Sequence, residues 1–266
     1  MIFRRTLVVL AAVAALAGCW PFKGKPKAAP SAVVSNSPRT IDSLWQVGQQ
    51  AFNAGKWNQA NQIFTRLGTA MPVADPRIAR LNFYKGEIEM ASGNELDAVR
   101  QFRRLSDEAP DDSLAPDALL RAADSYAALW KRPELDPTYG QTALGVYQEV
   151  QSRYPNTTAA KRAEAKVREL NDQFARKEFH SALFYYKFKA YESAILILRS
   201  LVLQYPRATV VPEALEKLVQ SYLALGYEED IKETCGYIAQ SFSVGQGPRR
   251  LCPAQPAASA DSVGSE

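Results

Sequence analysis

Ala182, Ala194 and Pro206 stand twelve residues apart, and the same interval links Gly48, Ala60 and Pro72. Gly86, Ala98 and Pro110 repeat it without adjustment. A small residue at the first two places lets two antiparallel helices approach closely, because a larger side chain would hold the backbones apart. Proline cannot donate an amide hydrogen, so it ends the second helix. Phe64 and Phe102 each follow the second small residue by four positions, which puts an aromatic ring at the same level of two successive pairs. Few folds satisfy a period of this kind: the chain has to be an array of stacked helix pairs.

The pattern is that of the tetratricopeptide repeat and predicts an all-α solenoid of about five helix-turn-helix repeats over 41–242. The repeats fall at about 41–74, 79–112, 116–157, 160–208 and 212–242. Thr40 or Asp42 offers a helix N-cap at the start, and Gly55 supplies a left-handed residue between the first two helices. In repeat three Leu119, Ala123 and Tyr126 share a face, but the inter-helix turn has swollen to KRPELDPTYGQT before Ala143, Tyr147 and Pro155 restore the second helix. Loops of this sort lie on the surface and often carry recognition. Repeat four opens with a long helix from about Ala159 to Lys187, roughly 43 Å at 1.5 Å per residue. Its apolar stripe through Ala163, Val167, Leu170 and Phe174 slips at Phe179 and resumes through Ala182, Leu183 and Tyr186. One helix packing first on repeat three and then on its own partner accounts for the slip. Repeat five keeps Tyr222 and Gly226 but has Ile231 where the small residue belongs, as suits a terminal repeat with no following neighbour.

Arg4 and Arg5 precede an apolar run from Leu7 to Ala17. Eleven such residues fall short of the about 20 needed to span a bilayer, so residues 1–18 read as a signal peptide. The ending Leu16-Ala17-Gly18-Cys19 resembles a bacterial lipobox, in which the cysteine is acylated and becomes the first residue of the mature chain. An N-acyl diglyceride on Cys19 is the one attached group expected, with no other cofactor. Trp20 replaces the aspartate that retains enteric-type lipoproteins at the inner membrane, which points to the outer membrane. Residues 19–40 are rich in proline and lysine and read as a lipidated, semi-stiff tether. Residues 243–266 read as a disordered tail. Cys235 and Cys252 either form a disulfide closing a loop of roughly 18 residues, worth about 3 kcal/mol, or remain a buried and a free thiol.

Removing Arg4 and Arg5 from the 32 lysines and arginines leaves 30 against 28 acids, a mature net charge of about +2. No field of that size argues for a nucleic-acid partner. His180 is the single histidine, so a histidine-based metal site or a serine-histidine-aspartate arrangement would depend on it alone. The acidic run Asp107, Glu108, Asp111 and Asp112 surrounds the Pro110 junction as solvated loop charge, and Gly245-Gln246-Gly247 is too short to cradle phosphate. The chain reads as a binding protein, not an enzyme. In a solenoid the first helix of each repeat lines the concave face. That face is expected to show Trp45, Gln49 and Phe52 in repeat one, Arg80, Phe83 and Glu87 in repeat two, and Leu120 and Asp124 in repeat three. Aromatic rings beside an arginine suit a peptide ending in an aromatic residue and a carboxylate. The alternative is that Trp45 and Phe83 pack between repeats.

The lipobox, the proline-rich tether, the swollen third turn and the segment ARKEFHSALFYYKFKAYESAI…LVLQYP…EALEKLVQSYLALG together resemble the BamD family of outer-membrane assembly lipoproteins over about Thr40 to Phe242. The resemblance implies a subunit of the β-barrel assembly machinery, lipid-anchored at the periplasmic face of the outer membrane. Its C-terminal repeats would dock on the periplasmic domains of the central barrel subunit. Its N-terminal repeats would receive the C-terminal signal of unfolded outer-membrane proteins. Members often carry a polar-basic pair just after the Ala194 position, whereas Leu196 and Ile197 stand here, so a more apolar contact replaces an ionic one. A periplasmic repeat scaffold of another envelope machine, a pilotin for a type IV pilus secretin or a coordinator of cell division and peptidoglycan synthesis, is the alternative.

Overall fold

Phe102 lies flat against the backbone of Gly86, so that a Cβ there would meet its ring at 2.5 Å, and Phe64 covers Gly48 in the same way at 2.8 Å. These contacts set how closely the first two helix pairs close. The computed structural model describes residues 37–242 and 247–252. The expected signal peptide, Cys19 and nearly all of the tether lie outside the described residues, as does 253–266.

Among the described residues ten α-helices follow one another in antiparallel pairs. They are α1 (Pro38–Asn53) with α2 (Trp57–Ala70), α3 (Ile78–Ala91) with α4 (Glu95–Glu108), and α5 (Ala115–Leu129) with α6 (Thr138–Arg153). After these come α7 (Thr158–Lys187) with α8 (Tyr191–Gln204), and α9 (Val211–Leu225) with α10 (Glu228–Ser241). The fold is the expected all-α tetratricopeptide-repeat solenoid, and the twelve-residue spacing falls in the first, second and fourth pairs. Gly55, Gly93 and Gly226 turn the chain between paired helices in the left-handed region, and Lys189 does so in repeat four with φ 60°.

Two boundaries differ from the sequence reading. Helix α1 begins at Pro38, within the stretch read as tether, because the Ser37 hydroxyl accepts the Thr40 amide and proline fits the first helical turn. Thr40 and Asp42 are therefore inside the helix. At the other end Gly247–Leu251, expected to be disordered, form a 3-10 turn. The cause is covalent: Cys235 Sγ and Cys252 Sγ are bonded at 2.06 Å. Leu251 and Cys252 thereby pack against the core of repeats four and five.

Helix α7 spans 30 residues, about 45 Å. Ala163, Leu170 and Phe174 join the core under repeat three, and Ala175, Phe179 and Ala182 join that of repeats four and five. The slip in its apolar stripe is the handover between these cores. The swollen turn is fastened to it. Trp130 is buried, its ring stacks on Phe174 with centroids 4.6 Å apart, and its other side covers Gly140. Lys177 Nζ donates to the Leu135 carbonyl at 3.1 Å, and His180 Nδ1 lies 3.7 Å from the Glu134 carboxylate.

Candidate binding site

The residues expected on the concave face divide into three environments. Phe52, Phe83 and Leu120 belong to packing between helices. Phe52 lies 4.6 Å from Tyr84, ring to ring, and Phe83 meets Phe102 edge-on at 5.5 Å. Leu120 is 2% exposed, because α5 is enclosed by its neighbours on both sides. The reading of Leu120 as a lining residue is thus corrected. Gln49 donates to Tyr84 Oη at 3.3 Å, at the edge of the same aromatic group.

Trp45 and Arg80 are brought together. They line a pocket of about 350 Å³ with Pro76, Arg77, and Asp112, Ser113 and Leu114 of the loop before α5, where the Asp112 carboxylate accepts the Leu114 amide at 2.8 Å. Trp45 is 8% exposed, wedged between Phe64 and Tyr84, so only one edge of its indole faces the pocket. The Arg77 guanidinium sits 5.7 Å above that ring and is bound to Asp75 and Asp42, each at 2.7 Å. Its hydrogen bond holds the Asp75 carboxyl below the usual carboxylate range. Arg80 is exposed and has no acidic partner among the described residues. The pocket thus combines an indole edge with a cation whose donors are not committed elsewhere.

Glu87 and Asp124 face each other across Arg121, which sequence reasoning missed. Arg121 Nε and Nη2 donate to the two Glu87 oxygens at 2.5 and 2.7 Å, and Nη1 to Asp124 at 3.2 Å. Burial opposes the charge on Arg121, but the hydrogen bonds and charges of Glu87 and Asp124 together outweigh it, so its pKa rises. Asp124 accepts the Tyr147 hydroxyl at 2.6 Å. Burial, then the Asp124 charge, raises the pKa of that phenol well above its ordinary value. Arg121, Asp124 and Tyr147 line, with Lys166 and Glu169, a second pocket of about 350 Å³ between α5 and α7. Its charges are mutually matched, which makes it a rigid joint between repeats two, three and four more than a receptor for a charged ligand. Tyr147→Phe removes the donor from Asp124 and is expected to cost about 1 kcal/mol. A lowered urea midpoint with an unchanged slope would show it.

A wider concavity lies between α8 and α10, with α9 as its floor: about 870 Å³, lined by Leu196, Leu203, Leu215, Leu218, Tyr222 and Tyr237 among others. Leu196 is 74% and Leu203 83% exposed, while Ile197 turns inward onto the core. The corresponding gap between α4 and α6 is bridged by charge. Arg103 there holds Glu149 through two bonds of 2.8 and 3.1 Å, and Arg153 reaches Asp107 at 3.1 Å. Between α8 and α10 the bridge is Arg199 to Asp230 at 3.5 Å, and the rest of the gap is open and lined mainly by apolar side chains, with Glu192 and Glu233 on its walls. An exposed apolar groove of this size is the mark of a surface that meets a partner.

The model of the YfiO family, described as an outer membrane lipoprotein, matches residues 39–236. The chain is 27% identical to the outer membrane protein assembly factor BamD of Caulobacter vibrioides over 241 residues, covering 90% of this chain and 77% of that protein. It is 25% identical to BamD of Vibrio cholerae, covering 86% of this chain and 95% of the relative. Among solved structures, the TPR domain of P58(IPK) is similar at 15% identity with a TM-score of 0.43, covering 76% of this chain and 51% of that one. A thermophilic TPR protein of Thermus thermophilus is similar at 16% identity and a TM-score of 0.36, covering 76% of this chain and 89% of that one. With three quarters of its length inside the family match, this chain belongs to the YfiO family of outer membrane lipoproteins, the family of the BamD assembly factors.

Proposed function

We propose that the chain is a non-enzymatic scaffold of the β-barrel assembly machinery, held at the periplasmic face of the outer membrane by an acyl group on Cys19. The N-terminal repeats receive unfolded outer-membrane proteins, and the C-terminal repeats dock on the central barrel subunit, so that client and insertion machinery are held together. The observation that carries the reading is the family match over 39–236, with relatives named as outer membrane protein assembly factors.

Two surfaces support the division of labour. The Trp45–Arg80 pocket offers apolar edge and uncommitted cation to a peptide ending in an aromatic residue and its carboxylate. The open α8–α10 groove offers apolar area to a folded partner. Arg80→Ala is expected to weaken binding of such a peptide about tenfold, the scale of one exposed charge-assisted contact, read by fluorescence anisotropy. An amidated peptide should already bind weakly and lose nothing further. Equal affinity of both peptides for both proteins would remove the pocket from the account.

The whole reading is tested by affinity capture from detergent-solubilised envelopes with tagged protein. Recovery of a large outer-membrane barrel with periplasmic repeats, near stoichiometry, supports it. Recovery of a secretin or of peptidoglycan synthases without that barrel overturns it in favour of another envelope machine.

A further inference from the structure

The turn that joins α7 to α8 departs from the glycine turns of repeats one, two and five. Repeats one and two pass between their helices through Ala54-Gly55 and Ser92-Gly93, small residues with the glycine at positive φ. Repeat four uses Phe188-Lys189, and Lys189 holds φ 60° where the others have glycine. A side chain in that region carries a conformational cost that glycine avoids.

Phe188 is 67% exposed and Phe184 59%, with Tyr185 also exposed beside them. The rings touch one another instead of the core: Phe184 and Phe188 centroids lie 4.9 Å apart, Phe184 and Tyr185 5.5 Å. Lys187 and Lys189 flank them, both exposed and neither paired with an acid among the described residues. The end of the long helix is therefore a projecting cluster of aromatic side chains with two uncommitted ammonium groups.

We propose that this cluster is a membrane-contact site, seated in the headgroup region of a bilayer carrying anionic phospholipid. Phenylalanine and tyrosine rings gain from the boundary between acyl chains and headgroups, and lysine stems extend so that their charge meets phosphate. The α8–α10 groove carries Glu192 and Glu233 on its walls and one arginine, Arg199, that is paired with Asp230, so cluster and groove differ in sign of charge and do not suit the same ligand. Three rings and two lysines make a weak contact by themselves. It is sufficient on a chain already held by a lipid, because the anchor supplies a high local concentration of bilayer; to that extent the proposal rests on acylation of Cys19. The consequence is orientational: anchor and turn together fix which side of the solenoid faces the membrane.

The test places an environment-sensitive fluorescent amino acid at position 188 of the full chain, with a control at the exposed Val73. Both proteins are titrated with phosphatidylcholine vesicles with and without phosphatidylglycerol. The expected result is a blue shift at 188 that phosphatidylglycerol strengthens and salt weakens, with none at 73. Lys187→Glu with Lys189→Glu should lower the apparent partitioning read at 188 by about tenfold or more. No shift at saturating vesicles overturns the proposal, and so does an equal shift at 73. A shift produced by solubilised envelope protein but not by lipid also overturns it, in favour of a protein contact. Flotation of the same chain with vesicles, compared with Cys19→Ser, reports on the anchor separately. A chain that floats while position 188 stays unshifted sinks this inference and leaves the anchor standing.

Discussion

Gly86→Ala is expected to destabilise the protein by about 2–3 kcal/mol, the upper part of the range for overpacking a filled core. In a domain of this size that is a fall in Tm of about 5–10 °C. The reason is geometric. Three atoms of the Phe102 ring lie within 2.5, 2.7 and 2.8 Å of where the new methyl would stand, closer than carbon atoms approach. Phe102 has no room to swing, being fully buried in the repeat-two core with Ala98, Leu105 and Ala118. Alanine improves intrinsic helix propensity by up to about 1 kcal/mol, which sets the opposing contribution and keeps the net loss below the full cost of the clash. Gly145→Ala is the control: it lies in α6 with nothing within 4 Å of the added methyl, and should gain a few tenths to about 1 kcal/mol from propensity alone. Gly86→Ala combined with Phe102→Leu should recover part of the loss, because the smaller side chain vacates the contact. Urea titrations of the four proteins decide the matter. A Gly86→Ala protein as stable as its parent would mean that the helix pairs are not held at the spacing described.

The spacing of small residues was readable because the steric rule behind it is local: a glycine or alanine, an aromatic ring and a proline occur at fixed intervals within one repeat. The same locality explains what was not readable. Trp45, Phe52 and Phe83 sit at positions from which a helix can face either the groove or the next repeat. Tyr84, which draws Phe52 inward, belongs to the next repeat, and Phe102, which draws Phe83 inward, to the partner helix of the same repeat, so neither contact is fixed by one helix alone. Arg121 is legible as an i, i+3 neighbour of Asp124, but its bidentate bond to Glu87 links residues 34 apart in different repeats. Gly140 escaped notice because Ala143 already satisfied the small-residue rule of repeat three. Its role depends on Trp130 folding back from the swollen turn, where no periodic pattern applies. The apolar pair Leu196-Ile197 was visible as a departure, but only the helix phase separates the outward Leu196 from the inward Ile197.

Reduction of the Cys235–Cys252 bond is expected to cost the C-terminal repeat about 3 kcal/mol, the loop entropy released when a closure of about 18 residues is opened. The loss should fall unevenly along the chain. Helix α9 buries seven of its residues, whereas α10 buries two, Cys235 and Ile238, along its 14-residue length. Packing alone therefore holds α10 weakly, and among the described residues no further helix pair covers it. The disulfide substitutes for that missing neighbour by drawing the Gly247–Leu251 turn back onto α9 and the core. In an array where each repeat is stabilised by its neighbours, the end unit frays first and independently. Cys252→Ser, or treatment with a phosphine reductant, should accelerate amide hydrogen exchange across Glu228–Ser241 by about a hundredfold, the rate equivalent of 3 kcal/mol. Exchange in α3 to α6 should be unchanged. The functional consequence follows from position. Helix α10 contributes Glu233 and Tyr237 to the wall of the open groove, so a frayed α10 leaves that wall unformed. Capture of the central barrel subunit should then weaken, while peptide binding at the distant Trp45–Arg80 pocket is retained. Simultaneous loss of both activities would mean that the repeats unfold as one cooperative body. Loss of neither, with exchange accelerated, would place the docking face elsewhere than between α8 and α10.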